Sequence, residues 1–229
     1  MKPNLPRLDT SNLWDQTYSL LKERIIRREF APNQKLIIPE LAGKLGISRT
    51  PIRDALTRLE MDGLVRTVSK VGTFVTPITV KDVNDIMETR IILEHWAIDK
   101  FFQLPQDKTE LLLDKMERLL TEAEQALEQL IDTYYETDYN LMFHMELIQI
   151  GDNQKNNDIY LNLMNYRFIT VGTSLVTKQM GLDACSQHRE IVQALREGNC
   201  KQAKQQSKAH IEDSRNRLLV DITANGGFI

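Results

Sequence analysis

The hydrophobic pattern of this chain changes at about residue 79, and that change constrains its fold more than any other feature. Before this point, short amphipathic segments are followed by two β-rich runs. After it, long segments of 3.6-residue periodicity continue almost to the end. A length of 229 residues suits two domains. We therefore expect a mainly α fold, with one domain over residues 1–78 and an all-helical domain over residues 79–229.

Two short helices joined by a tight turn are predicted in the first domain, after a longer amphipathic helix near residues 13–28. The first short helix should end at Gly46, whose missing Cβ suits a left-handed helix end. Ser48 is a good N-cap for the second, and Pro51 suits its first turn. The pair has the proportions of a helix-turn-helix.

The polar face of the second short helix carries the residues expected to contact DNA. Arg49 and Arg53 lie one turn apart near the end that enters the major groove, where arginine bonds guanine bidentately. Thr50 and the helix N-terminus suit phosphate contacts, and Arg58 lies further along the same face. The alternative is a solvated face on which Arg49 or Arg58 pairs with Asp54.

Two β-rich runs, residues 64–67 and 73–76, follow directly and predict a β-hairpin. A hairpin in this position makes the domain a winged helix-turn-helix. We place Lys70 and Gly72 at the tip of the wing. Lys70 would add charge near phosphate, and Gly72 would let the backbone approach DNA closely.

Charge is divided unevenly between the two domains. Residues 1–78 carry 13 lysines and arginines against 8 acidic residues, a net charge of +5, whereas the remainder carries 16 against 24, a net charge of −8. A basic N-terminal domain joined to an acidic C-terminal domain is typical of a protein whose N-terminal domain binds a polyanion. The chain shows no long apolar stretch and no secretory signal, so we expect a cytoplasmic protein without a membrane partner.

The second domain is predicted to form six antiparallel helices around a bundle core. We place them near residues 80–103, 108–128, 133–150, 156–177, 185–197 and 201–222, with breaks at Pro105, Gly151, Gly181 and Gly198. The core of such a bundle is a usual place for a ligand or a metal.

Three of the four histidines fall at inward-facing positions on three separate helices of this domain. His144 shares a face with Asn140, His188 lies on an apolar face, and His210 lies on a stripe of small residues. Three imidazoles and a side-chain oxygen suit a divalent transition metal. The alternative is a metal-free helical dimerisation module in which these histidines are ordinary packing residues.

The N-terminal motifs resemble the DNA-binding domain of the GntR family of bacterial regulators over roughly residues 13–77. They are ELA at 40–42, SRTPIRDAL at 48–56, GLV at 63–65 and GTFV at 72–75. The resemblance implies that Arg49 and Arg53 contact operator bases and that Gly72 lies in the wing. Pro39 and Val71 stand where basic residues are frequent, so DNA affinity would depend more on the two arginines and Lys70.

The C-terminal motifs look like the FCD ligand-binding domain of the FadR subfamily over most of residues 80–219. They are ETRIILE at 88–94, NLMFH at 140–144, HREIVQALREGN at 188–199, and His210. In metal-containing members an Asp or Asn and three histidines bind the metal. The resemblance therefore implies Asn140, His144, His188 and His210 as ligands, with zinc or nickel as the metal.

The resemblance also implies a small carboxylate effector, bound at the metal with Arg90 as its partner. A structural ion pair between Arg90 and Glu94 is the alternative. The expected protein is a homodimer that places two recognition helices on a pseudo-palindromic operator and is not an enzyme. The rival class is a metal-dependent enzyme, since an open metal with three histidines can activate water, but the motifs show no convincing general base.

Overall fold

The computed structural model describes residues 11–26, 29–129, 137–164, 177–224 and 228. These residues form nine helices and three strands. The chain divides into two compact units, Met1–Ile78 and Thr79–Ile229. None of the described helices is both long and apolar enough to cross a membrane. The predicted class, a winged helix-turn-helix and a helical second part, is confirmed.

In the first unit, the described residues form three helices and a small antiparallel sheet. In chain order they are α1 (Ser11–Ile26), β1 (Lys35–Leu36), α2 (Ile38–Leu45), α3 (Arg49–Met61), β2 (Val65–Val68) and β3 (Gly72–Val75). The strand order is β1-β3-β2. Val65 pairs with Val75 in the hairpin, and Lys35 of β1 pairs with Phe74 on the other side of β3. The sequence pattern does not predict β1, because two residues carry no periodicity.

One apolar face of α3 anchors it in the core of this unit. Ile52, Ala55 and Leu59 recur at helical spacing and are fully buried. They pack with apolar side chains of the other helices and the sheet: Leu21, Ile25, Leu36, Leu41, Ala42, Leu56, Leu64, Val65 and Val75. The opposite face of α3 is consequently turned toward solvent.

The turn between α2 and α3 has the predicted backbone conformation at Gly46 but lacks a capping hydrogen bond from the side chain of Ser48. Gly46 adopts a left-handed backbone with φ of 66° and its N–H bonds the carbonyl of Ala42. Ser48 occupies the predicted N-cap position of α3, but its side chain makes no capping hydrogen bond. The third helical residue is Pro51, which lacks one of the N–H groups that a capping side chain normally binds.

The described residues of the second unit form six helices: α4 (Val80–Phe101), α5 (Gln106–Gln129), α6 (Tyr139–Gln149), α7 (Gln154–Met164), α8 (Lys178–Arg196) and α9 (Cys200–Ala224). A capping box between Thr79 and Asp82 starts α4, and Asp138 starts α6 by accepting from the N–H of Leu141. The helices expected near residues 133–150 and 156–177 extend into residues 130–136 and 165–176, which lie outside the described residues.

The expected helix break at Gly181 is wrong. Gly181 lies in the first turn of α8, which begins after the N-cap residue Thr177. A Cβ at this position would come within 2.5 Å of Cδ2 of Leu127 on α5. The glycine therefore allows close packing of two helices and does not end one.

The core of the second unit, as far as its described residues go, is apolar except for one polar cluster. Its large buried side chains include Ile98, Met116, Phe143, Leu147, Tyr160 and Ile191. The cluster consists of buried charged or polar side chains: Arg90, Glu94, His144, His188, Ser207 and His210. Buried polar groups of this kind lower stability unless they are bonded to one another or to a ligand.

Replacing Gly151 with alanine is expected to destabilise the second unit by about 1–3 kcal/mol. Gly151 follows α6, and a Cβ there would overlap the indole ring of Trp96. Urea denaturation monitored by tryptophan fluorescence measures the loss. Gly43→Ala is the control, since a Cβ at position 43 in α2 meets nothing within 4 Å and should stabilise its helix. Equal stability of the two variants would contradict the packing explanation.

Candidate DNA-binding face and buried histidine cluster

The solvent face of α3 presents two arginines near its N-terminus. Arg49, Thr50 and Arg53 are all exposed, whereas Pro51 and Ile52 between them are buried. Within the part of the chain that the structure describes, no acidic side chain forms an ion pair with either arginine. Their guanidinium groups are therefore available to bind a polyanion.

Arg58 differs from the other two arginines because it joins α3 to α1. Its Nη1 lies 2.8 Å from Oδ1 of Asp15, and its guanidinium carbon lies 4.1 Å from the centre of the Tyr18 ring. The side chain thus has a structural role inside the first unit. A contact between Arg58 and DNA stays a prediction, and it would compete with the Asp15 pair.

The turn of the hairpin has the conformation that a wing tip requires. Lys70 is exposed with a positive φ of 61°. Gly72 has a φ of 141°, and a Cβ there would lie only 2.6 Å from Cε of Lys35. The flexible side chain of Lys35 can move aside, so the positive φ is the feature that favours glycine at position 72.

Lys35 is a basic residue beside the wing that sequence reasoning missed. It is exposed on β1, and its aliphatic chain lies against Gly72. The only signal available in the sequence was a lysine before a buried leucine, which is common on protein surfaces. The pairing of β1 with β3 is what brings it to the wing.

The three histidines predicted to converge do so in the second unit. His144 of α6, His188 of α8 and His210 of α9 are buried, with ligand atoms within 4.8 Å of one another. Nε2 of His210 lies 3.2 Å from Nε2 of His144 and 3.2 Å from Nε2 of His188. The ring of His188 stacks on Phe143, with centroids 3.9 Å apart.

A hydrogen-bond chain fixes the tautomer of His210. Arg217 donates to Oδ2 of Asp213 at 2.6 Å, and the same oxygen accepts from Nε2 of Gln187 at 3.0 Å. The amide oxygen of Gln187 therefore faces Nδ1 of His210, at 2.7 Å. Since an amide oxygen only accepts, Nδ1 of neutral His210 carries the proton and its Nε2 presents a lone pair.

His144 is oriented by the Arg90–Glu94 ion pair. Nη2 of Arg90 donates to Oε1 of Glu94 at 3.2 Å and lies 3.1 Å from Nε2 of His144. Guanidinium is always a donor, so Nε2 of His144 is the acceptor. Its Nδ1 lies 3.2 Å from Oε1 of Glu94, as suits a protonated nitrogen. Nε2 of His144 and Nε2 of His210 therefore both present a lone pair, and these two nitrogens lie 3.2 Å apart with no proton between them.

Burial keeps these imidazoles neutral. It lowers the pKa of His188 and of His210 well below the ordinary value, and the neighbouring positive groups lower both further. Burial also lowers the pKa of His144, although the adjacent Glu94 carboxylate offsets part of that effect. Burial alone would raise the pKa of Glu94, but His144, Arg90 and Tyr160 outweigh it and hold that pKa below its usual range.

The donor set fits a divalent transition metal. Two imidazole nitrogens bound to one ion at about 2.1 Å, at angles of about 90–109°, lie about 3.0–3.4 Å apart. The pairs His144–His210 and His188–His210 are both separated by 3.2 Å, and all three ligand atoms lie within 4.8 Å of one another. A cation would also relieve the repulsion between facing lone pairs. Asn140 is half-buried in the first turn of α6, one turn before His144. His95 lies apart, bonded to the carbonyl of Lys204.

Ser207 of this cluster and two side chains beside it, Tyr160 and Gln187, have roles that sequence reasoning did not identify. Tyr160 donates to Oε1 of Glu94 at 2.6 Å, and Ser207 donates to Oε2 at 2.7 Å. Gln187 orients His210. Each of these contacts joins two helices that are far apart in sequence. Helical periodicity alone therefore does not predict the contacts.

Family models match both parts of the chain. The model described as "Bacterial regulatory proteins, gntR family" matches residues 13–75. The FCD domain model matches residues 85–213, more than half of the chain. The two matches fall in the unit that carries α3 and the unit that carries the histidine cluster, respectively.

Similar sequences and one similar solved structure agree with the two family matches. The HTH-type transcriptional regulator YdhC of Bacillus subtilis is 30% identical over 85% of this chain and 86% of its own length. The Uxu operon regulator of Haemophilus influenzae is 26% identical over 93% and 86%. The fold matches that of a GntR regulator from Rhodococcus sp. RHA1, with a TM-score of 0.72, 21% identity and coverage of 91% and 98%. The chain therefore belongs to the GntR family and is a DNA-binding transcriptional regulator with a C-terminal FCD domain.

Proposed function

We propose that this regulator binds a pseudo-palindromic operator as a homodimer and that a small carboxylate, bound with a divalent metal in the FCD domain, controls its DNA affinity. The observation that carries the proposal is the convergence of three buried imidazole nitrogens beside the buried guanidinium of Arg90. This cluster lies in the same chain as an exposed, unpaired pair of arginines on a recognition helix.

On the DNA side, Arg49 and Arg53 contact base edges in the major groove and Thr50 contacts a phosphate. Lys70 and Lys35 contact the DNA backbone from the wing, where Gly72 allows close approach. Two-fold symmetry of a dimer would place the two α3 helices in successive major grooves. Arg58 mainly holds α3 against α1.

On the ligand side, His144, His188 and His210 would hold the metal, with the amide oxygen of Asn140 as a fourth ligand. Imidazole donors suit zinc or nickel. When bound, the metal supplies a Lewis-acid attachment point for a carboxylate. Gln187 holds the Nδ1 proton of His210 directed away from it, and the carboxylate of Glu94 lies 3.2 Å from Nδ1 of His144.

Arg90 would pair with the effector carboxylate through charge-assisted hydrogen bonds. It is buried, and its pKa is raised, so the guanidinium stays charged. An effector changes DNA affinity only if it binds one conformation of the dimer better than another. A carboxylate that reorganises contacts among α4, α6, α8 and α9 meets that requirement, since each of these helices contributes to the cluster.

A thermal-shift screen of small carboxylic acids tests this function directly. The full chain is screened with zinc or nickel and, in parallel, after treatment with a chelator. We expect at least one acid to raise the melting temperature only in the metal-loaded protein and to change its affinity for operator DNA. An acid that stabilises both preparations equally, or that leaves DNA binding unchanged, would contradict the proposal.

Substituting Lys35 with alanine is expected to weaken DNA binding by up to about tenfold, to the same extent for operator and unrelated duplexes. The reason is that a lysine on the wing contacts phosphate and reads no base, so its loss also reduces the salt dependence by about one counterion. Fluorescence anisotropy across a salt series measures both effects. Lys108→Ala, at an exposed position on α5, is the control and should change neither quantity.

A further inference from the structure

Nε2 of His144 is required by two partners that cannot share it. In the structure it accepts a hydrogen bond from Nη2 of Arg90 at 3.1 Å. The same nitrogen is one of the three that converge on the candidate metal site. A neutral imidazole has a single lone pair, on its unprotonated nitrogen, so His144 cannot bind a metal and accept from Arg90 simultaneously.

The other donor groups of Arg90 are already committed to its neighbours. Nε donates to the hydroxyl of Tyr160 at 3.3 Å, Nη2 also donates to Oε1 of Glu94 at 3.2 Å, and Nη1 makes a weak contact with the sulfur of Met87 at 3.8 Å. Oε1 of Glu94 in turn accepts from Tyr160, and Oε2 accepts from Ser207. Glu94 is therefore well occupied and is a poor acceptor for one more N–H group.

We propose that Arg90 is a competitor for the metal site that becomes an anion-binding group when the site is filled. In the metal-loaded protein, one N–H of Arg90 loses its acceptor in a buried position, which is unfavourable until an anion restores it. Metal and carboxylate therefore bind cooperatively, each raising the affinity for the other by the same factor. This inference rests on the proposed metal site and adds a mechanism for its coupling to the effector.

Charge supports the same conclusion. Arg90 and Glu94 form a buried pair of opposite charges, and the three histidines add no negative charge to the site. A divalent cation would leave the described part of this cluster with an excess of positive charge, because Asn140 supplies a neutral oxygen. The charge of Asp138, the N-cap of α6, also acts on His144. An anion beside Arg90 provides the remaining compensation.

The test is zinc affinity, measured on the full chain by competition with a chromophoric chelator, in acetate and in equal concentrations of its neutral analogue acetamide at constant ionic strength. The variant is Arg90→Met with Glu94→Gln. It removes the competitor and its partner together, so that no buried charge is left unpaired and the net charge is unchanged. Arg196→Met with Asp114→Asn removes an exposed pair of the same unit and serves as the control.

In wild-type protein and the control, acetate should raise zinc affinity about fivefold or more relative to acetamide. The Arg90 variant should lose most of the acetate effect, because it keeps the three histidines but has no guanidinium to bind the anion. An acetate effect of equal size in variant and wild type would overturn the inference alone. Absence of stoichiometric zinc from wild-type protein would instead overturn the metal site on which it rests.

Discussion

Reversing the charge of Arg49 and Arg53 together, as Arg49→Glu and Arg53→Glu, is expected to lower affinity for operator DNA by about 1000-fold or more. Each bidentate contact between arginine and guanine is worth about 1–3 kcal/mol, and each introduced carboxylate also repels the phosphates. Both side chains are exposed and have no described ion-pair partner, so the fold should tolerate their replacement. Fluorescence anisotropy with a labelled operator duplex at fixed salt measures the change.

A matched charge reversal controls for the altered net charge. Lys108→Glu and Lys155→Glu change the charge by the same amount at exposed positions of α5 and α7. This control should retain operator affinity within a few-fold, with only a general electrostatic effect. If the control lost as much affinity as the arginine variant, the loss would reflect net charge, and α3 would not be the reading element.

Removing the three buried histidines together, as His144→Ala, His188→Ala and His210→Ala, should abolish stoichiometric binding of a transition metal. The wild-type chain should gain about 2.7 kcal/mol of stability when the free metal is at 100 times its dissociation constant, and the triple variant should gain none. The reason is that all three converging nitrogens are lost. Elemental analysis and denaturation with and without metal measure the two effects.

His95→Ala is the control, because His95 bonds the carbonyl of Lys204 and lies outside the cluster. It should keep the full metal content. His210→Gln serves as a milder variant in case the triple replacement does not fold, since glutamine retains polarity at the position that Gln187 contacts. A folded triple variant with undiminished metal content would show that the metal lies elsewhere. A wild-type chain without metal would favour the alternative of a metal-free helical module.

The winged helix-turn-helix could be predicted because its signals are local. Gly46 marks the end of one helix, the apolar spacing around Ile52 defines the buried face of the next, and the β-rich runs flank the wing. The unexpected β1 has only two residues, and tertiary pairing with β3 creates it. The missing side-chain cap at Ser48 could also be predicted from the sequence, because Pro51 has no N–H group that could donate to Ser48.

The histidine cluster could be predicted in part, for a physical reason. Helical periodicity places His144, His188 and His210 inward, and the family motif links them. Helical periodicity gives no information on which side chains from other helices contact these histidines. The roles of Tyr160 and Gln187 depend on packing between helices distant in sequence. The sequence left two roles open for Arg90, a partner of the effector carboxylate and an ion pair with Glu94. The structure shows the ion pair and also places Arg90 beside His144.

Binding of the wild-type chain to duplexes from the intergenic regions next to its own gene, compared with shuffled duplexes of the same composition at moderate salt, tests the central claim most directly. We predict that at least one natural duplex binds about 1000-fold more tightly than its shuffled counterpart and contains a pseudo-palindrome. Equal affinity for natural and shuffled duplexes, across these regions and with metal present or removed, would contradict the assignment of α3 as a sequence-reading helix.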